Sequence, residues 1–252
     1  MKYIQVIGAK GMLGQAVLRA CHAAGNSVVV LPVDVTTVKP NELQAEVVIN
    51  CAGIVKQRRD LPASEFVRVN AYGAQRLAEM CDESRCKLVQ ISTDCVFTAP
   101  HWHDFIHIES DPPSPVDIYS RSKLAGEVTR VPHLTVRTSF VGHGLRGLIA
   151  NLLQEKKQTI SLNIFWTGCT VDYAARYLIE LAEKNVEGLI HIPAPIISRI
   201  ELVKLLSSKL NLGTIITETN EIAEDRRLGS EQWEKVGMSP VPEFEKQLAE
   251  MK

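Results

Sequence analysis

Alternating strand and helix patterns predict an α/β fold for this chain of 252 residues, built as a doubly wound parallel sheet with a smaller C-terminal α/β lobe. Two observations carry the prediction. Short apolar, β-branched runs alternate with segments of helical apolar period as far as Thr138, and a glycine-rich turn joins the first strand to the first helix. Strand, helix, strand in that order implies parallel pairing through right-handed crossovers, a Rossmann-type arrangement.

Each element has its own local reason. Tyr3–Ile7 is a β-rich run. Residues 11–24 space apolar side chains for a helix that closes on Gly25-Asn26, a pair suited to a C-cap. Val28–Leu31 reads as a second buried strand, Pro40 opens a short helical stretch, and Val47–Ile49 is a third strand. A long helical pattern runs from about Ala63 to Glu83 and leads into the strand Leu88–Ile91. A loop rich in Pro and His, Thr98–Asp117, precedes a helix over Ile118–Arg130 and a strand over Leu134–Thr138.

Beyond Gly147 the rhythm changes. Helices are expected at Leu148–Gln158, Tyr173–Glu183, Ser198–Leu210 and Glu231–Val236, with strands at Leu189–Ile192 and Thr214–Thr217. Ser198 and Glu201 form a Ser-x-x-Glu capping box. A boundary near Gly144–Gly147 divides a dinucleotide-binding domain (1–145) from a substrate-binding lobe (146–252), with the chain free to cross between them.

Composition narrows the function. With 28 Lys+Arg against 29 Asp+Glu the chain lacks the basic footprint of a nucleic-acid binder, and dense basic spots are confined to Lys156-Lys157 and Arg58-Arg59. No apolar stretch reaches membrane-spanning length, and the N-terminus enters a glycine turn before a signal-peptide core can form, so a cytoplasmic protein is expected. The six cysteines have irregular spacing and no C-x-x-C pair, as expected of small buried hydrophobes in a reducing compartment.

The first chemical motif is Gly8-Ala9-Lys10-Gly11-Met12-Leu13-Gly14, between strand and helix. Its glycines permit close backbone approach, and the helix start offers free N–H groups and a positive dipole end to a pyrophosphate. The plainer alternative is a tight βα turn. No acid follows the second strand directly; it ends in Leu31-Pro32, and Asp34 comes inside Val33-Asp34-Val35. Lys10 stands where an ammonium reaches a ribose 2′-phosphate, unless it is a solvated surface lysine, so NADP(H) is favoured with NAD(H) as the alternative.

Tyr119-Ser120-Arg121-Ser122-Lys123 places a phenol and an ammonium four residues apart on one helix face. A free tyrosine has a pKa of about 10 and is a poor acid–base group near neutrality, and a neighbouring ammonium lowers it. Such a pair also occurs on exposed helices. Ser92-Thr93-Asp94-Cys95-Val96-Phe97 follows a buried strand, where hydroxyls meet ligands in parallel sheets or simply cap a turn. Asn50-Cys51-Ala52-Gly53 ends another strand on the same rim.

Taken in order, these motifs resemble the extended short-chain dehydrogenases/reductases, specifically the dTDP-4-dehydrorhamnose reductase-like group of nucleotide-sugar reductases. The residues are 8–14, Val48 to Gly53, Ser92 to Phe97, Tyr119 to Glu127 and Val136-Arg137-Thr138-Ser139, with weaker similarity through Trp166–Thr170, Gly188–His191 and Asp225–Leu228. The resemblance implies NAD(P)H-dependent reduction of the 4-keto group of a nucleoside-diphosphate 6-deoxysugar. It implies that Thr93 and Tyr119 bind the substrate carbonyl, that Tyr119 supplies the proton, and that Lys123 binds the nicotinamide ribose and depresses the Tyr119 pKa.

By the same resemblance Gly8, Lys10, Gly11, Met12, Leu13, Gly14, Asp34, Val35, Cys51, Ala52 and Gly53 line the cofactor, and Asn70 braces the neighbouring helix. Asp94, Val96 and Phe97 face the sugar, and Trp166 belongs to a segment closing over the nucleotide. The resemblance is compatible with a homodimer.

Departures from the pattern fall at Ala99 and Ser120, where family members commonly carry Gly, and at Ile54 to Arg59, which lacks the acidic pattern of dehydrorhamnose reductases. An epimerase or dehydratase would share the same tyrosine, lysine and glycine turn, and a non-catalytic NADP-binding regulatory subunit is the alternative of another class. His101-Trp102-His103-Asp104-Phe105-Ile106-His107 lacks a complementary ligand set at zinc-like spacing, so loop packing or substrate contact is read there and no metal is expected. Arg58-Arg59 either clamps a diphosphate or is ion-paired, and Cys51 and Cys95 are read as packing residues.

Overall fold

The computed structural model describes residues 1–97, 105–142 and 147–251, without the side chains of 221–225. Ala99, His101–Asp104 and the boundary at Gly144 lie outside the described residues. The larger unit runs β1 (Tyr3–Ile7), α1 (Met12–Ala23), β2 (Ser27–Leu31), β3 (Val47–Asn50), α2 (Ala63–Phe66), a π-helical segment Val67–Gly73, α3 (Ala74–Ser84), β4 (Lys87–Thr93), α4 (Ile118–Ala125) and β5 (Leu134–Thr138). There follow β6 (Phe140–Val141), α5 (Leu148–Gln154), β7 (Lys157–Trp166), β8 (Cys169–Thr170), α6 (Val171–Glu183), β9 (Gly188–His191), β10 (Ile197–Ser198), α7 (Arg199–Lys209), β11 (Ile215–Asp225) and α8 (Phe244–Glu250).

Six strands pair in parallel in the order β2-β1-β3-β4-β5-β9. Alternate residues of each inner strand feed opposite faces, as burial on both sides requires. Ile4, Val6, Val47 and Ile49 join Leu13, Val17 and Cys21 of α1 and Leu178 and Leu181 of α6 in one core. Ile7, Val48 and Leu88 meet Leu77, Ala78 and Cys81 of α3 in the other. Burying each such Leu, Ile or Val stabilises the fold by about 1.5–3 kcal/mol.

The second half does not form a separate block in sequence. α6 and β9 return to the large sheet, whereas β7 lies between β10 and β11 in a small sheet covered by α7. Gln247 of α8, fully buried, accepts the Thr170 N–H at 2.9 Å and donates to the Pro242 carbonyl at 2.7 Å, fastening the C-terminal helix across β8.

Several sequence-based boundaries are corrected. Val28–Leu31 is not a buried strand: β2 is outermost in the sheet, and Val29 and Val30 are 44% and 40% exposed. The helix from Ile118 stops at Ala125 rather than Arg130, because Gly126 comes against α3's preceding turn so closely that a Cβ there would stand 1.9 Å from the Asn70 carbonyl oxygen. The helix from Leu148 ends at Gln154, and Lys157 already begins β7. Residues 231–236 form turns rather than a helix, closed by Gly237 at φ 73°. Ser198 Oγ does accept the Glu201 N–H, at 3.1 Å, at the start of α7.

Candidate active site

In the large sheet the chain leaves β1 toward β2 on one side and returns to β3 on the other, so a crevice opens beyond the C-terminal ends of β1 and β3. Gly8 ends β1 there with φ 76°, and a Cβ on it would stand 2.4 Å from the Ala52 backbone nitrogen. The turn closes with Gly11 N–H donating to the Gly8 carbonyl at 3.0 Å, and α1 begins at Met12 with no side-chain cap on its N-terminal N–H groups. A glycine cradle ending in a bare helix start fits a dinucleotide pyrophosphate. Lys10 is exposed beside it, Leu13 and Gly14 are buried, and Cys51, Ala52 and Gly53 border the crevice opposite.

Beyond the end of β2 the structure orders Asp34 tightly. Its carboxylate accepts the Thr36 N–H at 2.9 Å and hydroxyl at 2.8 Å and pairs with Arg68 at 3.2 Å. Those hydrogen bonds, that to the Thr36 backbone foremost, hold the carboxyl below its ordinary range. Val35 is buried against the π-helical segment, where a Cβ on Gly73 would stand 2.7 Å from Val35 Cγ1.

Thr93, Tyr119 and Lys123 converge next to this crevice. Thr93 ends β4; its hydroxyl donates to Asp94 Oδ1 at 3.0 Å and accepts the Cys95 N–H at 3.2 Å, and its side chain neighbours the Tyr119 phenol. The capping role and the placement at the site therefore coexist. α4 starts at a true N-cap, with Asp117 Oδ1 accepting the Ser120 N–H at 2.7 Å and Asp117 paired to Lys56 at 2.9 Å. One turn on, Lys123 is buried and donates to the Ile91 carbonyl at 2.5 Å. A Cβ on Gly53 would lie 3.9 Å from its Nζ.

Burial pushes the Tyr119 phenol well above the ordinary tyrosine range, only partly opposed by the neighbouring Thr93 side chain, so the phenol is protonated in the folded chain at neutral pH. The Lys123 ammonium donates to the Ile91 carbonyl and is itself pulled down to about 8 by burial. Cys51 and Cys95 are pushed up to about 12 and about 11, burial leading in both cases, which keeps them as thiols.

Asn70, in the π-helical segment, joins three pieces of this site. Its Oδ1 accepts the Ile54 N–H at 2.8 Å, and its Nδ2 donates to the Ile54 carbonyl at 3.0 Å and to Ser122 Oγ at 3.1 Å. Asn70 is buried within the π-helical span Val67–Gly73, and such segments recur at functional sites.

Other expected contacts lie elsewhere. Asp94 is buried beside Thr93, but Val96 and Phe97 have no exposed surface and pack with Leu228. Phe97 stacks on His107 at 4.2 Å under the Arg137 guanidinium, so it forms the floor beneath the site. Trp166 is 7% exposed and spends its indole N–H on Ser139 Oγ at 2.8 Å, edge-on to Phe244. Arg58 is forked onto Asp60 at 2.8–3.1 Å, whereas Arg59, Lys56, Asn151 and Gln154 line a cleft of about 510 Å³ between the loop after β3 and α5.

Three charged groups lie inside the motifs already named without a role of their own. Arg137 and Glu127 form a buried fork, and Arg226 donates to Cys95 Sγ at 3.0 Å. For Arg137 a signal existed: a charge inside the apolar strand Leu134–Thr138 must be paired to be buried. Arg226 had none, since its approach to β4 is made only by the fold.

The geometry agrees with what this chain resembles. A family model described as "RmlD substrate binding domain" matches residues 1–251. A dTDP-4-dehydrorhamnose reductase from Mycolicibacterium smegmatis is 35% identical over 153 residues, 56% of this chain and 46% of that protein. The chain spans about half the length of the first curated relatives it matches. Among solved structures, a dTDP-4-dehydrorhamnose reductase from Clostridium acetobutylicum superposes with a TM-score of 0.86 at 21% identity, covering 98% of this chain and 97% of that one. One from Bacillus anthracis, in complex with NADP, gives 0.83 at 19% identity over 98% of this chain and 97% of its own. With its whole described length matched, the chain belongs to the RmlD substrate binding domain family.

Proposed function

We propose that this chain is an NAD(P)H-dependent reductase acting on the 4-keto group of a nucleoside-diphosphate 6-deoxysugar. The observation that carries the proposal is the meeting of Thr93, Tyr119 and Lys123 beside the glycine cradle. The relatives named as dTDP-4-dehydrorhamnose reductases, and the neighbour holding NADP, support the same reading.

Gly8, Gly11 and the start of α1 would hold the cofactor pyrophosphate, Asp34 and Val35 the adenine, and Lys123 the nicotinamide ribose. Lys10 favours NADP(H). The bound cofactor supplies hydride to the carbonyl carbon. The chain's own residues do the rest: the Thr93 and Tyr119 hydroxyls bind the carbonyl oxygen, the Tyr119 proton passes to that oxygen, and the nearby ammonium of Lys123 stabilises the phenolate left behind. The phenol enters the step protonated, and reduction consumes that proton at the substrate oxygen.

The cleft between Arg59, Lys56 and α5 is the place for the diphosphate and nucleotide, with Arg58 neutralised by Asp60. Asp94, buried beside Thr93, would accept a sugar hydroxyl with the carboxylate oxygen that Thr93 leaves free. Residues 1–145 with α6 and β9 act as the cofactor unit and the remainder of 146–252 as the substrate lobe. No helix among the described residues is long and apolar enough to cross a membrane.

The test is NADPH oxidation with a panel of 4-keto-6-deoxy sugar nucleotides, with product identified by mass. One NADPH consumed per hydroxyl formed is expected. Turnover without net cofactor consumption would identify an epimerase or dehydratase, and inertness across the panel would sink the enzyme reading.

A further inference from the structure

The loop after β3 carries Lys56, Arg58 and Arg59 close together, and the first two are paired in different ways. Arg58 is forked onto Asp60 of its own loop. Lys56 instead leaves the loop for Asp117, the N-cap of α4, with Nζ 2.9 Å from Oδ2. The same Lys56 side chain lines the cleft of about 510 Å³ together with Arg59, Asn151 and Gln154. One ammonium thus belongs both to that cleft and to the start of the helix carrying Tyr119.

The two carboxylate oxygens of Asp117 have separate partners. Oδ1 accepts the Ser120 N–H at 2.7 Å and the Ser120 hydroxyl at 2.8 Å, which caps α4, and Oδ2 takes Lys56. Releasing Lys56 therefore leaves the cap in place. The paired side chains are 44% and 31% exposed, so water screens the pair, it stands at the weak end for ion pairs, and the carboxylate left behind is not stranded in the core. A diphosphate carries more charge than one carboxylate and offers several oxygens, so it displaces Asp117 from the ammonium. An uncharged ligand does not.

Resting on the reading of this cleft as the place of the diphosphate, we propose that Asp117 sets the affinity of the diphosphate site: it is a resident counter-ion that holds Lys56 until the diphosphate of a sugar nucleotide takes the ammonium over. Substrate and product of the reduction share the same diphosphate, so contacts to it bind both equally, add nothing to the chemical step and slow release of the product. A carboxylate built into the site and competing for Lys56 keeps that contact from becoming too tight. Asp117 thus lowers affinity for the ligand that Lys56 serves, and its removal tightens binding.

The test is calorimetric titration of thymidine diphosphate and of uridine diphosphate into the full chain, with NADP+ present so that the glycine cradle is filled. Wild type is compared with Asp117→Asn, Lys56→Met and the double variant. Asparagine keeps an oxygen for the Ser120 N–H and removes the charge that holds Lys56; if that variant fails to fold, Asp117→Ser, also a good N-cap, takes its place. Asp117→Asn should tighten the diphosphate by about two- to fivefold, the range of an exposed pair. Lys56→Met should weaken it by about tenfold, as for a lost charged hydrogen bond. The gain from Asp117→Asn should vanish when Lys56 is already methionine, and thymidine itself should bind all four proteins alike. Unchanged or weakened binding in Asp117→Asn, or a gain that persists without Lys56, would overturn the proposal. Absence of diphosphate binding in every protein would overturn it together with the assignment of the cleft, whereas the reductase reading is judged separately by NADPH oxidation.

Discussion

The Lys123 Nζ lies 2.5 Å from the Ile91 carbonyl oxygen, so α4 is pinned to the strand that ends two residues later in Thr93. Tyr119 precedes Lys123 by one turn on that helix, and the pin therefore fixes the distance between the phenol and the Thr93 hydroxyl.

Tyr119→Phe removes the proton donor while keeping the ring that fills the site. Its kcat should fall by at least ~10²-fold with NADPH affinity retained, the lower range for a lost acid–base group. Fluorescence titration of NADPH beside steady-state rates checks both halves. A variant with near wild-type kcat would remove Tyr119 from the mechanism.

Gly8→Ala tests the cradle. A Cβ would meet the Ala52 nitrogen at 2.4 Å on a backbone with φ 76°, and both effects are unfavourable. A loss of about 2–4 kcal/mol in stability is expected from combined strain and overpacking, with weakened cofactor binding. Urea unfolding reads the first and NADPH titration the second; wild-type behaviour in both would refute the close approach of β1 and β3.

Arg58 and Arg59 should behave differently although they are adjacent. Arg58 is committed to Asp60, whereas Arg59 lines the cleft proposed for the diphosphate. Arg59→Ala should raise KM for the sugar nucleotide roughly tenfold at nearly constant kcat, the mark of lost uniform binding. Arg58→Ala should leave KM within about twofold. Equal effects would place the diphosphate elsewhere.

Stability should fall as the solution is acidified from pH 7.5 to 5.5. His133 is fully buried; its Nδ1 accepts the Leu88 N–H at 3.1 Å, which leaves the Nε2 proton for Asp82 at 2.8 Å. Burial holds both His133 and His191 below the ordinary histidine range. Below about pH 6.5 the unfolded chain takes up protons that the folded one refuses, so stability is retained above that pH and lost on acidification. Urea midpoints at the two pH values measure the slope. His133→Asn, whose amide oxygen can still accept the Leu88 N–H, should flatten it; an unchanged slope would acquit His133.

Local pattern was enough wherever an element is stabilised by its near neighbours. The strand Tyr3–Ile7, the glycine turn, the helix after it, the strand Leu134–Thr138 and the serine cap of α7 were all legible because alternation, turn chemistry and capping act over a few residues. Thr93, Tyr119 and Lys123 were legible through their order in the chain. β7 was not: Lys157–Trp166 becomes a strand by pairing with β10 and β11, whose residues follow it by more than thirty positions. The exposure of β2 was hidden too, since edge and central strands share one apolar pattern.

The sequence by itself determined a glycine turn between strand and helix and a hydroxyl, a phenol and an ammonium in contiguous motifs, and only the order of those motifs and the family they resemble pointed to roles for them. Only tertiary structure decided their protonation and support. Burial keeps the Tyr119 phenol protonated, the Ile91 carbonyl takes the Lys123 bond, and the Glu127–Arg137 fork is buried beside Ser92. Each depends on removing water and bringing distant strands together, which residue order alone does not report.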